Sequence, residues 1–295
     1  MLSFDQITAD NILQTSEYFK YKISRTSDYT VGAMYMWRDF YNTSFTIHDD
    51  MILYKVKFLN RTSFTFPVGG GSLPKAMDAL KEYCQFNEIP LWFCTVPEEA
   101  VASLVNQFHG SVPGVPNRDW ADYLYLAKDL AEMAGRRYSG QRNHINKFKK
   151  LYPDYSYHRI TPENHSRVID FLMDYAKNHG KEASLAQEEL TRTLELIPYL
   201  EKFKLPGGFI EVNGVIVAIS IGEIIKDTLY CHIEKANREY PGSYQMIVKE
   251  FASDMLLSGI EYINREEDVG DEGLRTSKLS YHPVHLLDKY CILVP

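Results

Sequence analysis

Ile263-Asn264-Arg265-Glu266-Glu267-Asp268-Val269-Gly270-Asp271-Glu272-Gly273-Leu274-Arg275-Thr276-Ser277-Lys278-Leu279-Ser280-Tyr281-His282-Pro283 joins the end of a strand to an acidic, glycine-broken loop and then to a short basic helix. A loop held between rigid elements is a common seat of chemistry. Outward from it, residues 259–264 read as a strand, 273–282 as a helix and 290–294 as a last strand.

Further upstream, Asn213-Gly214 separates apolar residues 208–212 from 215–221. That dipeptide supplies the positive φ angles of a tight turn, a strong hairpin signal. Residues 228–233 form the next strand, and Pro241-Gly242-Ser243 opens a helix with Ile247, Phe251 and Met255 on one stripe. Helices at 164–179 and 188–200 precede the strands, the first with Val168, Phe171, Leu172 and Tyr175 at helical spacing. The order is three strands, helix, strand, helix, strand.

The first half repeats that order. Strands at 44–47 and 51–58 flank Asp49-Asp50, and 62–66 is the third. Gly69-Gly70-Gly71-Ser72 opens a helix to residue 86, with Ser72 as cap and Pro74 in the first turn. A strand at 90–95, a helix at 98–108 and a strand at 123–127 complete it. The glycine run is read either as a phosphate cradle or as a structural turn, since it lacks the lysine of a P-loop. The predicted division is a first lobe at 1–134, a basic connecting segment at 135–160 and a second lobe at 161–295.

Hydrophobic residues are 45% of the 295 and charged residues 24%, a globular composition. The formal charge of −7 excludes a general polyanion binder and leaves only a local patch for phosphate or RNA. Residues 135–150 supply one: they hold six Arg or Lys, His144, Tyr138 and Phe148, and no acid. They read either as a phosphate contact with stacking aromatics or as a solvated helix that tucks Ile145 and Phe148 inward. Cys84, Cys94, Cys231 and Cys291 form no C-x-x-C pair and sit in apolar runs, which predicts core packing and no metal site. The longest apolar run, 215–221, is far short of the roughly 20 residues that span a bilayer. These features predict a cytoplasmic protein without a transmembrane segment.

The order of elements resembles the GNAT acyltransferase fold, an α+β architecture in which a helix start grips the pyrophosphate of coenzyme A. Each lobe is thus predicted to be a mixed, mostly antiparallel sheet flanked by helices. Free N–H groups and the helix dipole would hold the anion. Arg238, Pro241, Gly242, Ser243, Tyr244 and Gln245 occupy the matching place. Arg238 stands one residue farther from Gly242 than in the usual pattern, and Tyr244 replaces its second small residue. The terminal stretch, with Asn264, Arg275 and Lys278, and the run Arg142-Asn143-His144-Ile145-Asn146-Lys147-Phe148 resemble the C-terminal domain family of phosphatidylglycerol lysyltransferases, related to the Fem peptidyltransferases. The resemblance implies tandem GNAT-like lobes and an amino acid taken from aminoacyl-tRNA.

Acyl transfer needs a base, an oxyanion stabiliser and an acid. Alternation on the strand at 228–233 and beyond sets Tyr230, His232 and Glu234 on one face, making His232 and Glu234 candidate bases. By resemblance, Tyr281 would protonate the leaving group. Arg275, Lys278 and His282 share a helix face, to neutralise phosphates or to pair with the acidic loop. The expectation is an acyl- or aminoacyltransferase taking its group from a coenzyme A thioester or aminoacyl-tRNA. The rival is a non-catalytic binding protein that retains the fold.

Overall fold

Asn213 and Gly214 take φ angles of 50° and 80° and close the hairpin of strands Gly207–Val212 and Val215–Ile225. The computed structural model describes residues 1–179 and 184–295. Around this hairpin a seven-stranded sheet runs in the order His285–Leu287, Asp122–Leu126, Tyr262–Asn264, Thr228–Ala236, Val215–Ile225, Gly207–Val212, Ser156–Arg159. The last four are mutually antiparallel, whereas Tyr262–Asn264 runs parallel to Thr228–Ala236 and antiparallel to Asp122–Leu126. The helix Ser243–Leu256 lays Ile247, Phe251 and Met255 into its core with Leu229, Cys231 and Ala236.

The other sheet follows the same plan: Asp5–Gln6, Ser44–His48, Met51–Phe58, Arg61–Phe64, Leu91–Pro97, Lys289–Val294, Val112–Pro113, with Val68–Gly69 beside Met51–Phe58. Its first four strands are antiparallel, Leu91–Pro97 is parallel to Arg61–Phe64, and Lys289–Val294 is antiparallel to Leu91–Pro97. The helix Leu73–Phe86 is capped by Ser72, whose hydroxyl accepts from the Lys75 amide, and it buries Ala76, Met77, Leu80 and Cys84. Both halves are therefore GNAT-like lobes with mixed, mostly antiparallel sheets flanked by helices, as the order of elements predicted.

The assignment of the last strands differs from expectation. Residues 290–294 were expected in the second lobe and 123–127 in the first. Instead Lys289–Val294 completes the first sheet and Asp122–Leu126 the second. The compact units are accordingly Met1–Asp122 with Glu267–Glu272 and Leu286–Pro295, and Tyr123–Glu266 with Gly273–His285. The basic segment expected to connect lobes belongs to the second unit. Its helix Ser139–Leu151 buries Gln141, Ile145 and Phe148, the inward-tucked arrangement. The strands are similar apolar runs, so periodicity cannot say which sheet each will join.

Charge distinguishes them. In the first unit the Lys289 ammonium, 3% exposed, lies 2.8 Å from Asp122, 3.1 Å from Asp28 and 3.4 Å from Glu267. Asp122 also accepts from the Ser27 amide at 2.6 Å. This knot ties the terminal strand to three distant parts of the chain. The glycine run is likewise structural: a Cβ on Gly71 would overlap the Asp49 carbonyl, so the backbone packs on the Asp49-Asp50 turn and no phosphate cradle forms there.

Lys289→Met is expected to destabilise the protein by about 3–5 kcal/mol in urea denaturation, because it strands buried carboxylates without their cation. A loss below about 1 kcal/mol would show that the terminal strand does not depend on this knot.

Candidate functional site

Pairing between the parallel strands of the second lobe stops at Tyr230 and Asn264. Past this point the two strands part, and Arg265 follows at once. Its guanidinium is buried, with Nε 2.8 Å and Nη2 2.6 Å from Oε2 of Glu234. It lies 4.6 Å from the Tyr281 ring centroid and 5.7 Å from that of Tyr125, within the range of cation–π attraction. Nη1 is buried, and no described residue accepts a hydrogen bond from it. An unmet buried donor costs about 1–3 kcal/mol, which a substrate oxygen or a water would recover.

The backbone beneath Arg265 is fixed from several sides. Its amide donates to the Tyr123 carbonyl at 3.0 Å. Lys278, 6% exposed, donates to the carbonyl oxygens of Arg265 at 2.5 Å and Glu266 at 3.2 Å. The buried Asn264 accepts from the Glu266 amide at 2.7 Å. Asn264 and Lys278, both candidate cofactor-binding residues from the sequence, here serve the loop; for Lys278 that is the loop-holding alternative, reached through backbone carbonyls rather than acidic side chains. The helix carrying Lys278 ends at Leu279. His282 lies beyond it at φ 55°, with Nε2 3.0 Å from the Arg137 carbonyl, so the predicted Arg275–Lys278–His282 face does not form. Arg275 is half-buried on that helix.

Tyr281 is 2% exposed. Burial pushes its phenol up to about 12, with Arg265 lowering it and Glu234 raising it. The Tyr138 hydroxyl donates to the Tyr281 carbonyl at 3.1 Å. Tyr138 and Phe148 are both fully buried, which removes them as stacking surfaces.

Alternation does not place Tyr230, His232 and Glu234 together. Ile221 pairs with Ile233 and Gly222 with Cys231, leaving His232 as the extra residue of a bulge. Cys231 and Ala236, five positions apart, consequently enter the same core. Glu234 meets Arg265, whereas the buried His232 ring has Nδ1 2.8 Å from Glu266 and Nε2 3.6 Å from Glu223. Burial opposes a charged ring, but the two carboxylates overcome it and hold His232 up to about 9. A protonated, enclosed imidazole is a poor general base at neutral pH.

The helix start at Gly242 does not fit a pyrophosphate. Gly242 has φ 94°, and a Cβ there would overlap the His144 carbonyl. Its glycine thus permits close backbone packing, and the oxygen filling that space would repel an anion. The Ser243 amide is spent on the Tyr240 carbonyl at 3.0 Å and its hydroxyl on Asn237 at 2.9 Å. The Tyr244 hydroxyl is 3.4 Å from that of Tyr175. Arg238 is exposed, and Pro241 and Gln245 are half-buried. Arg265, the centre of the cluster, was missed by sequence reasoning. The available signal was a lone arginine directly after a strand, ahead of the acidic run.

The chain belongs to the family "Phosphatidylglycerol lysyltransferase, C-terminal", which it matches over residues 20–293. A conserved protein of unknown function from Bacteroides thetaiotaomicron is 33% identical, with a TM-score of 0.93 and all of both chains covered. L-PGS from Bacillus licheniformis has a TM-score of 0.68 at 13% identity, with 95% of this chain and 91% of that one covered. FemX has a TM-score of 0.65 at 8% identity, with 100% and 98% covered. These last two likenesses show the shared fold. An uncharacterised Mycoplasmoides gallisepticum protein is 24% identical over 59% of this chain, and the match spans 56% of that relative's length. Among the described residues, no helix is long and apolar enough to cross a membrane.

The His232 shift gives a pH prediction. Its folded-state value is raised from 6.5 to about 9, so its stabilisation is complete below about pH 6.5 and lost as pH rises through 9. Urea stability is expected to fall by about 3 kcal/mol across that window. His232→Gln should flatten the profile, and an unchanged slope in that variant would refute the assignment.

Proposed function

We propose that the second lobe transfers an aminoacyl group from the ribose ester of an aminoacyl-tRNA to an amine or hydroxyl acceptor. Family and fold support acyl transfer in general. The observation that carries the finer reading is the buried Arg265 guanidinium, whose Nη1 meets no acceptor among the described residues, held against Tyr281 where the parallel strands part. A fixed buried donor stabilises negative charge on a carbonyl oxygen without reorganising. Glu234, which accepts two N–H groups from Arg265, orients that cation and is not the base. As the acceptor attacks, a new bond forms to the carbonyl carbon and the ester C–O bond breaks. Tyr281 gives its proton to the departing ribose oxygen and regains one from the acceptor.

Three features favour an ester donor over coenzyme A. Gly242 packs against the His144 carbonyl, which works against a pyrophosphate there. A phenol held near 12 is matched to a strongly basic alkoxide, whereas a thiolate near 8.5 needs no such acid. The family resemblance implies aminoacyl-tRNA as donor. The helix Ser139–Leu151 and the turn before it add a basic surface: Arg136 in the turn and His144, Lys147 and Lys150 on the helix are exposed and suited to phosphates. Arg137 and Arg142 are not part of it. Arg137 pairs with Asp129, and Arg142 donates to the carbonyls of Met133 and Gly135.

The test is transfer of labelled amino acids from a charged tRNA pool to candidate amine and hydroxyl acceptors, with acetyl-coenzyme A as control. Arg265→Gln is expected to lower turnover about 100-fold or more, and Tyr281→Phe about 100-fold. Normal turnover in Tyr281→Phe, or transfer from the thioester alone, would overturn the assignment. RNA binding with no transfer in the wild type would favour a binding protein that has kept the fold. Replacing Arg136, Lys147 and Lys150 with Ala should weaken tRNA binding and flatten its salt dependence; an unchanged slope would move the RNA contact elsewhere.

A further inference from the structure

In the first lobe, strand Lys289–Val294 runs antiparallel to Leu91–Pro97, and Ile292 pairs directly with Phe93. One step along, the register shifts. At this bulge Cys291 stands opposite Cys94 and Thr95, and Thr95 takes φ 48°, a rare conformation for a β-branched residue. Phe93 and Ile292 both enter the core beside the helix Leu73–Phe86. Their neighbours Cys94 and Cys291 therefore project together from the opposite face. Both are free thiols, and the Cys291 sulfur is near enough to influence the ionisation of Cys94. In-register antiparallel residues have Cα atoms about 4.5–5.5 Å apart, and the bulge sets Cys291 beside Cys94 rather than in register with it, close to the roughly 4.4–6.8 Å that a disulfide spans.

We propose that Cys94 and Cys291 form a reversible intramolecular disulfide, a modification site that fastens the terminal strand Lys289–Val294 to its neighbour. The other cysteines have no comparable position: Cys84 lies on the helix Leu73–Phe86 in the first core and Cys231 in the core of the second lobe.

The two thiols differ in the way exchange requires. Cys94 is fully buried, and burial first, then Cys291 and Asp28, pushes its thiol far up. Cys291 is half-buried. Burial raises it, while the Thr95 backbone and Arg61 draw it down. Cys291 is accordingly the attacking group and Cys94 the resolving one. With a low-molecular-weight disulfide as oxidant, the Cys291 thiolate attacks one sulfur, breaks that S–S bond and releases one thiol. Cys94 then loses its proton and attacks the Cys291 sulfur, breaking the mixed disulfide and releasing the second thiol. Two protein thiols are oxidised and one small disulfide is reduced to two thiols. A bridge across adjacent strands is geometrically tight, which keeps it reducible.

The experiment treats the full chain with glutathione disulfide, blocks residual thiols after unfolding and maps peptides by mass spectrometry. The expected result is a linked peptide pair containing Cys94 and Cys291, with Cys84 and Cys231 still alkylated. Dithiothreitol should reverse it, and the thermal midpoint of the oxidised form should rise by about 5 °C. Cys291→Ser should abolish the link, and Cys94→Ala should leave glutathione on Cys291. Four alkylated thiols, a glutathione adduct at Cys291 in the wild type without a link, or a bridge involving Cys84 or Cys231 would each overturn the proposal. None of these readouts depends on aminoacyl transfer.

Discussion

A cation taken out of water must receive its partners from the protein, and this constraint organises both lobes. Desolvation alone would cost several kcal/mol for each charge. Lys289, Lys278 and Arg265 are all buried, and each obtains its partners differently. Lys289 is held by three carboxylates. Lys278 is held by two backbone carbonyls. Arg265 is held on one edge by Glu234 and on its faces by aromatic rings. Lys289 and Arg265 tie segments far apart in sequence, and Lys278 pins the nearby loop to its helix, so these loops are fixed without long stretches of regular structure.

The lobes share a sheet plan and differ in what they do with this device. In the first, Lys289 lies in a closed knot that assigns the terminal strand to its sheet. In the second, Arg265 stands where the parallel strands separate, and one of its donors has no acceptor among the described residues. A satisfied cation stabilises; an unsatisfied one, held rigid, is prepared for charge that arrives with a substrate. The same fold thereby supports structure in one half and the proposed chemistry in the other, which is why fold alone does not settle function.

Two local features redirected the candidate residues. The bulge at His232 inserts one residue into a period-two pattern, so His232 and Glu234 meet different partners, Glu266 and Arg265. Gly242 looked like part of an anion-binding turn, and its positive φ fits one. The space beside its Cα, however, belongs to the His144 carbonyl of a helix nearly a hundred residues upstream. Neither outcome was visible locally, since a bulge depends on the partner strand and a close approach depends on whatever packs there.

The sequence by itself determined the elements and their repetition. Asn213-Gly214 defined the hairpin, Ser72 and Pro74 the helix start, and the Ile247–Phe251–Met255 stripe a core helix, because turn geometry, capping and periodicity act over a few residues. It also carried the family, through the blocks around Arg142 and Arg265. Tertiary structure alone decided which sheet received residues 122–126 and 289–294, that Arg265 was the buried centre of the site, and that Lys278 and Asn264 served the backbone. Those outcomes rest on desolvation and on contacts between distant segments, and a linear pattern records neither.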